Sequence, residues 1–143
     1  IDYDRYAEGE KRMGWLNAVI GLSAGDGAVE WEEYCRDVLQ ALQERWRARE
    51  NPIGHVKLLL SAGGGYCVGN ITGRGTPVSV ENSLKGCPAE ASMTLNARVQ
   101  GPPEELEDTV REVLSKTSGG GVELSFWELE CFSPARPEPT YRV

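Results

Sequence analysis

Three side chains combine charge or hydrogen-bonding capacity with a strand setting: Lys57 within Val56-Lys57-Leu58, and Asn96 and Arg98 within the run Met93 to Val99. An ammonium, a guanidinium and a carboxamide on one surface would hold an anion through charge-assisted hydrogen bonds. Met93, Leu95, Ala97 and Val99 alternate with Thr94, Asn96, Arg98 and Gln100, so the polar set lines one face of a half-buried strand. A lone strand lysine ordinarily extends its head into solvent. Lys57 joins Asn96 and Arg98 in a ligand-binding face only if their two strands are neighbours.

A second chemistry would use Cys87 and His55. His55 is the sole histidine, so a site of several histidines within one chain is excluded, and a Cys-His catalytic pair would have to use it. Cys87 lies in Lys85-Gly86-Cys87-Pro88, a loop where exposure and a nearby cation would lower its pKa. These two are the candidate metal ligands; no metal can be named from them. Cys35, Cys67 and Cys131 fall in or near apolar runs, and no Cys-x-x-Cys spacing occurs, so the signatures of zinc and thioredoxin-like sites are absent. Reduced, mostly buried thiols of a cytoplasmic protein are expected at those three positions. Trp31 and Trp46 fall on an apolar helical stripe and are expected in the core rather than stacked on a ligand.

No constellation is assigned a catalytic role. Glu104, Glu105, Glu107 and Asp108 cluster, but a helix start explains them through its dipole, whereas acid-base work needs carboxylates opposed across a cleft. Gly63-Gly64-Gly65 leads into a strand and Gly69 to Thr76 leads into Pro77, so neither is a phosphate loop, which needs Gly-Lys-Ser/Thr at the mouth of a helix. Val99-Gln100-Gly101 resembles the Val-Gln-Gly of acylphosphatases. Pro102 and Pro103 then remove two backbone donors where that loop would need them, and no arginine follows in place.

The elements that would position these groups are legible as periods. Met13 to Leu22 is a strand with Leu16, Ala18, Ile20 and Leu22 on one face and Trp15, Asn17 and Val19 on the other. Val29 to about Arg49 is a helix, with Trp31, Cys35, Val38, Leu39, Leu42 and Trp46 three or four apart, acids early, arginines late, and Asn51-Pro52 as a stop. His55 to Ser61 and Tyr66 to Thr72 form a hairpin about the glycine triplet. Gly73 to Ala91 is an irregular connection, with Pro77 to Val80 as an optional short strand outside the main five. The strand bearing Asn96 and Arg98 follows, then a helix from Pro102-Pro103 to about Ser118. Val122 to Phe132 is the last strand, and the shift of its apolar phase at Phe126-Trp127 indicates a bulge or burial on both faces. Residues 1–12 read as a lead-in and 133–143 as an extended, proline-rich tail.

The expected fold is α+β, a ferredoxin-like two-layer sandwich (βαβββαβ) with a mainly antiparallel sheet and two helices on one face. With 143 residues, one domain is expected, large enough to fold without disulfides or a structural metal. The 15 Lys and Arg against 22 Asp and Glu leave a net charge of −7, which argues against nucleic acid and anionic membranes as partners. The apolar stretches are too short to span a bilayer. A start at Ile1 rather than Met, with Asp2, Asp4, Glu8 and Glu10 close behind, points to an excised fragment or a processed product.

Asp2-Tyr3-Asp4-Arg5-Tyr6-Ala7-Glu8-Gly9-Glu10, running into Met13-Gly14-Trp15-Leu16-Asn17-Ala18, resembles the start of the C-terminal domain of CobW-like GTPases, a cobalamin-synthesis and metallochaperone family. His55-Val56-Lys57 is similar to the lysine-bearing strand after the first helix of such domains, and Phe132 to Arg142, with its Pro-x-Pro-Thr-x-Arg ending, to a C-terminal tail of some members. The resemblance implies a cytoplasmic, non-catalytic regulatory or client-interaction domain. Its partners would be an upstream GTPase domain and a client protein. GTP and metal would sit on that upstream domain, leaving no cofactor here. The alternative is a sensor domain that binds an anionic metabolite or a corrinoid. Exposed strand edges would permit a homodimer.

Overall fold

The computed structural model describes residues 13–73 and 75–134. Among these residues eight elements follow one another: β1 (Met13–Ser23), α1 (Trp31–Ala48), β2 (Ile53–Ala62), β3 (Gly65–Ile71), β4 (Ser79–Asn82), β5 (Glu90–Gln100), α2 (Pro103–Ser118) and β6 (Glu123–Phe132). The six strands form one sheet in the order β4-β3-β2-β5-β1-β6, antiparallel at every junction.

Period-two alternation decides which side of the sheet is covered. Leu16, Ala18, Ile20 and Leu22 of β1, Val56, Leu58 and Leu60 of β2, and Met93, Leu95 and Ala97 of β5 are buried in one cluster with the apolar stripes of both helices. Both helices therefore lie on that side, and the residues between these positions face the other way. In α1 the stripe includes Trp31 and Trp46, both almost fully buried as expected. Its first turn carries Glu32 and Glu33 and its last Arg45 and Arg47, each sign opposing the adjacent helix pole. Pro103 opens α2 where its missing N–H costs no helical bond. The helices are tied to each other at three places: Tyr34 Oη lies 2.8 Å from Ser118 Oγ, Arg49 Nη1 donates to Thr109 Oγ1 at 2.7 Å, and Arg45 pairs with Glu112 at 3.0 Å.

The glycine triplet is a hairpin turn. Ala62 pairs with Gly65, and Gly63 and Gly64 have φ of 56° and 82°, which matches a two-residue turn whose twist suits the strands.

Two expectations change. The sheet has six strands, not five, because Ser79–Asn82 pairs fully with β3. That strand begins two residues after the expected Pro77, whose ring nitrogen has no proton for a ladder. In β6 the phase shift is a bulge alone. Val19 pairs with Glu128 and Ile20 with Phe126, which leaves Trp127 as the extra residue. Leu129 and Cys131 are thereby returned to the helix side with Leu124 and Phe126, and both faces are not buried. Trp127 is 62% exposed, and its indole lies against Gly21, where an added Cβ would come within 2.4 Å of the ring.

The lead-in 1–12 and the tail from residue 135 lie outside the described residues, and so do the resemblance motifs they carry. Among the described residues no helix is long and apolar enough to cross a membrane.

Candidate functional site

The condition on Lys57, Asn96 and Arg98 is met by the topology. β2 and β5 are hydrogen-bonded neighbours, and Lys57 stands directly opposite Asn96. Arg98, two residues further along β5, shares their face and stands opposite His55. All of them point to the side of the sheet away from α1 and α2.

The rows continue across the sheet. Asn96 pairs with Asn17 of β1, and Asn17 with Glu130 of β6. Asn96 Nδ2 donates to Asn17 Oδ1 at 2.7 Å, so the carboxamide is held in place by its neighbour. In the next row Arg98 lies opposite Trp15, with the guanidinium carbon 4.8 Å from the ring centroid. This cation–π contact orients the guanidinium while leaving its N–H edges to other acceptors. Trp15 in turn packs against Phe132, the centroids 5.9 Å apart. His55 Nε2 lies 3.1 Å from the Asn70 carboxamide, within hydrogen-bond distance.

These groups border a shallow groove of about 350 Å³ between Trp15, His55, Lys57 and Arg98. A second hollow of about 530 Å³ adjoins it, shares Asn17 and Asn96, and reaches Glu128 and Glu130. The open face is thus a trough with Lys57 and Arg98 on β2 and β5 and Glu128 and Glu130 on β6. Among the described residues the ion pairs lie on the helices: Arg36–Glu32, Arg45–Glu112, Arg47–Glu44, Arg111–Glu107 and Lys116–Glu112. Neither Lys57 nor Arg98 belongs to one of these pairs.

Cys87 and His55 are not brought together. His55 pairs with Arg98 near the end of β5, while Cys87 precedes its start at Glu90. Eight residues of extended chain at about 3.3 Å each separate those ends by roughly 26 Å. The Cys87 thiol instead faces Glu30, with Sγ 3.4 Å from Oε1. That carboxylate raises the thiol pKa, the reverse of the lowering expected from a neighbouring cation. Burial raises Cys35 and Cys67 as well and pushes Cys131 up to about 11. Cys131 is only half-buried and donates to the Pro103 carbonyl at 2.9 Å. No group of three or more His, Cys, Asp and Glu able to hold a metal occurs among the described residues. The acids at the start of α2 behave as a helix start requires, and Glu107 is engaged with Arg111.

Sequence reasoning missed Trp15, Asn17, Asn70 and Phe132 as members of the face. Asn17 carried a usable signal, a carboxamide on the side of β1 opposite its apolar row. Comparison of the chain with protein families, with characterised proteins and with solved structures finds no significant match.

Proposed function

We propose that this chain is a non-catalytic regulatory or client-interaction domain whose open sheet face, centred on Lys57, Asn96 and Arg98, takes up a carboxylate-bearing partner. The observation that carries this reading is the convergence, on the side of the sheet away from α1 and α2, of an oriented carboxamide and two cations that pair with no carboxylate among the described residues. Such a set suits charge-assisted hydrogen bonding and lacks a paired base or nucleophile. The separation of Cys87 from His55 further supports a binding role over a thiol enzyme.

The reading includes a ferredoxin-like core of β1, α1, β2, β5, α2 and β6, with β3 and β4 as an added hairpin. Its support is the order β2-β5-β1-β6 together with one helix after β1 and one after β5. It agrees with the resemblance to the C-terminal domain of CobW-like GTPases, in which GTP and metal would belong to an upstream domain. Four cysteines without a disulfide suit the cytoplasmic setting that goes with it.

A second reading rests on the groove itself. About 350 Å³ lies within the range of small-molecule sites, so an anionic metabolite is the competing occupant. Titration of the ¹⁵N-labelled chain with a glutamate-rich peptide and, separately, with citrate tests both. Amide shifts around Lys57, Asn96 and Asn17 are expected with the peptide, at a Kd on the order of 1 mM or tighter, and Lys57→Ala with Arg98→Ala should abolish them. Saturation by citrate alone favours the metabolite. Shifts confined to the helices, or none, refute both.

A further inference from the structure

The register of the open face gives it a symmetry of its own. Across β2, β5, β1 and β6 one row reads Lys57, Asn96, Asn17, Glu130 and the next reads His55, Arg98, Trp15, Phe132. A half-turn about an axis parallel to the strands, above the face and between β5 and β1, reverses the strand order and keeps each row at its height. It places Lys57 over Glu130, Asn96 over Asn17, and Arg98 over Trp15. Each of these is a favourable pair, and a two-fold contact makes each of them twice.

We propose that a second copy of this chain is the partner of the open face, bound sheet to sheet about this axis. The proposal rests on reading that face as a contact surface and names what covers it. Charge supports it. The molecule carries −7 overall, but the axis sets Lys57 of each copy against Glu130 of the other and lays Glu128 over the apolar Leu59 rather than over another carboxylate. Area supports it also. Four strands about 4.8 Å apart and about ten residues long present roughly 600 Å² before side-chain relief is counted. A standard interface buries about 800 Å² per partner.

The geometry tolerates the usual twist. Packed sheets cross at about 30°, and Lys57 and Glu130 lie about 7 Å from the axis, one and a half strand spacings. The rotation displaces them by about 4 Å, which two long side chains span. Lateral pairing through the edges is less favoured, because β4 has four residues and β6 is interrupted by its bulge.

Sedimentation of the full 143-residue chain and of three variants tests the proposal. The unaltered chain is expected to be a dimer at micromolar concentration. Lys57→Glu sets two carboxylates together and Glu130→Lys sets two ammonium groups together; each should weaken the dimer at least about 10-fold, a difference of 1.4 kcal/mol. The double variant, Lys57→Glu with Glu130→Lys, exchanges the charges and should restore it. Both positions are on the open face, and a cooperative thermal transition with an unaltered far-UV circular dichroism spectrum will show that each variant folds, whatever shift in Tm the loss of the dimer brings. A chain that stays monomeric at about 100 µM overturns the dimer, as does a dimer indifferent to both single variants or one that the double variant fails to restore. The peptide titration separates the two readings: peptide shifts on a monomeric chain leave the acidic-partner reading standing without the dimer.

Discussion

Tyr34 on α1 and Ser118 at the end of α2 form a buried hydroxyl pair, 2.8 Å apart, that joins the helix layer across its width. Ser118 is 6% exposed and Tyr34 likewise, so neither group can turn to bulk water. Tyr34→Phe removes one hydroxyl and strands the other. The cost is the desolvation of a buried polar group without its partner, about 1–3 kcal/mol. Ser118→Ala should cost about the same by stranding the phenol. With an unfolding entropy near 2.1 cal/mol/K per residue, 1 kcal/mol moves Tm by about 3 °C in a chain of this size, so each single variant should melt roughly 3–9 °C low. The double variant strands nothing, and its loss should be no larger than that of either single one. Urea unfolding of all four proteins measures the coupling directly. A double variant as unstable as the two single losses added together, within about 0.5 kcal/mol, would refute the bond.

Glu112 accepts from Arg45 and Lys116, which hold its pKa at about 2 against an ordinary 4.5. A depressed carboxyl pKa stabilises the fold above pH 4.5, and the contribution is lost as pH falls toward 2. Glu112→Gln should therefore lower the urea midpoint near neutrality and match the unaltered chain near pH 2; a gap that persists there contradicts the assignment. Cys87 is exposed but faces Glu30, so iodoacetamide at neutral pH should label it more slowly than a small free thiol. Glu30→Gln should accelerate that labelling, and a fast reaction in the unaltered chain would reinstate a reactive thiol.

The long elements were legible because each repeats a period several times. β1 and β5 alternate over eleven residues, and α1 shows its stripe over five turns. β4 was harder to read, since among Ser79–Asn82 only Val80 is drawn toward the core. The membership of Lys57, Asn96 and Arg98 in polar strand faces was visible, but their meeting was not. β2 and β5 are adjacent only because the chain makes the β3–β4 hairpin outboard of β2 and then returns on its inner side. No local pattern encodes that return. The Glu30–Cys87 contact was likewise invisible, because it joins residues far apart in the chain.

The place of β1 bears on how the chain reaches this state. The first described strand is flanked by β5 and β6, so Trp15 must find Arg98 on one side and Phe132 on the other, close to the last residues described. Its partners emerge late in synthesis, and until they do β1 has an apolar row and two unpaired edges. Few of its contacts are local, which places the chain among slow folders, in the millisecond-to-second range rather than the microsecond range of helical bundles. β2 and β3, joined by a two-residue turn, are available long before that. Assembly is therefore expected to start from the hairpin and α1, with β1 locking in when β6 arrives.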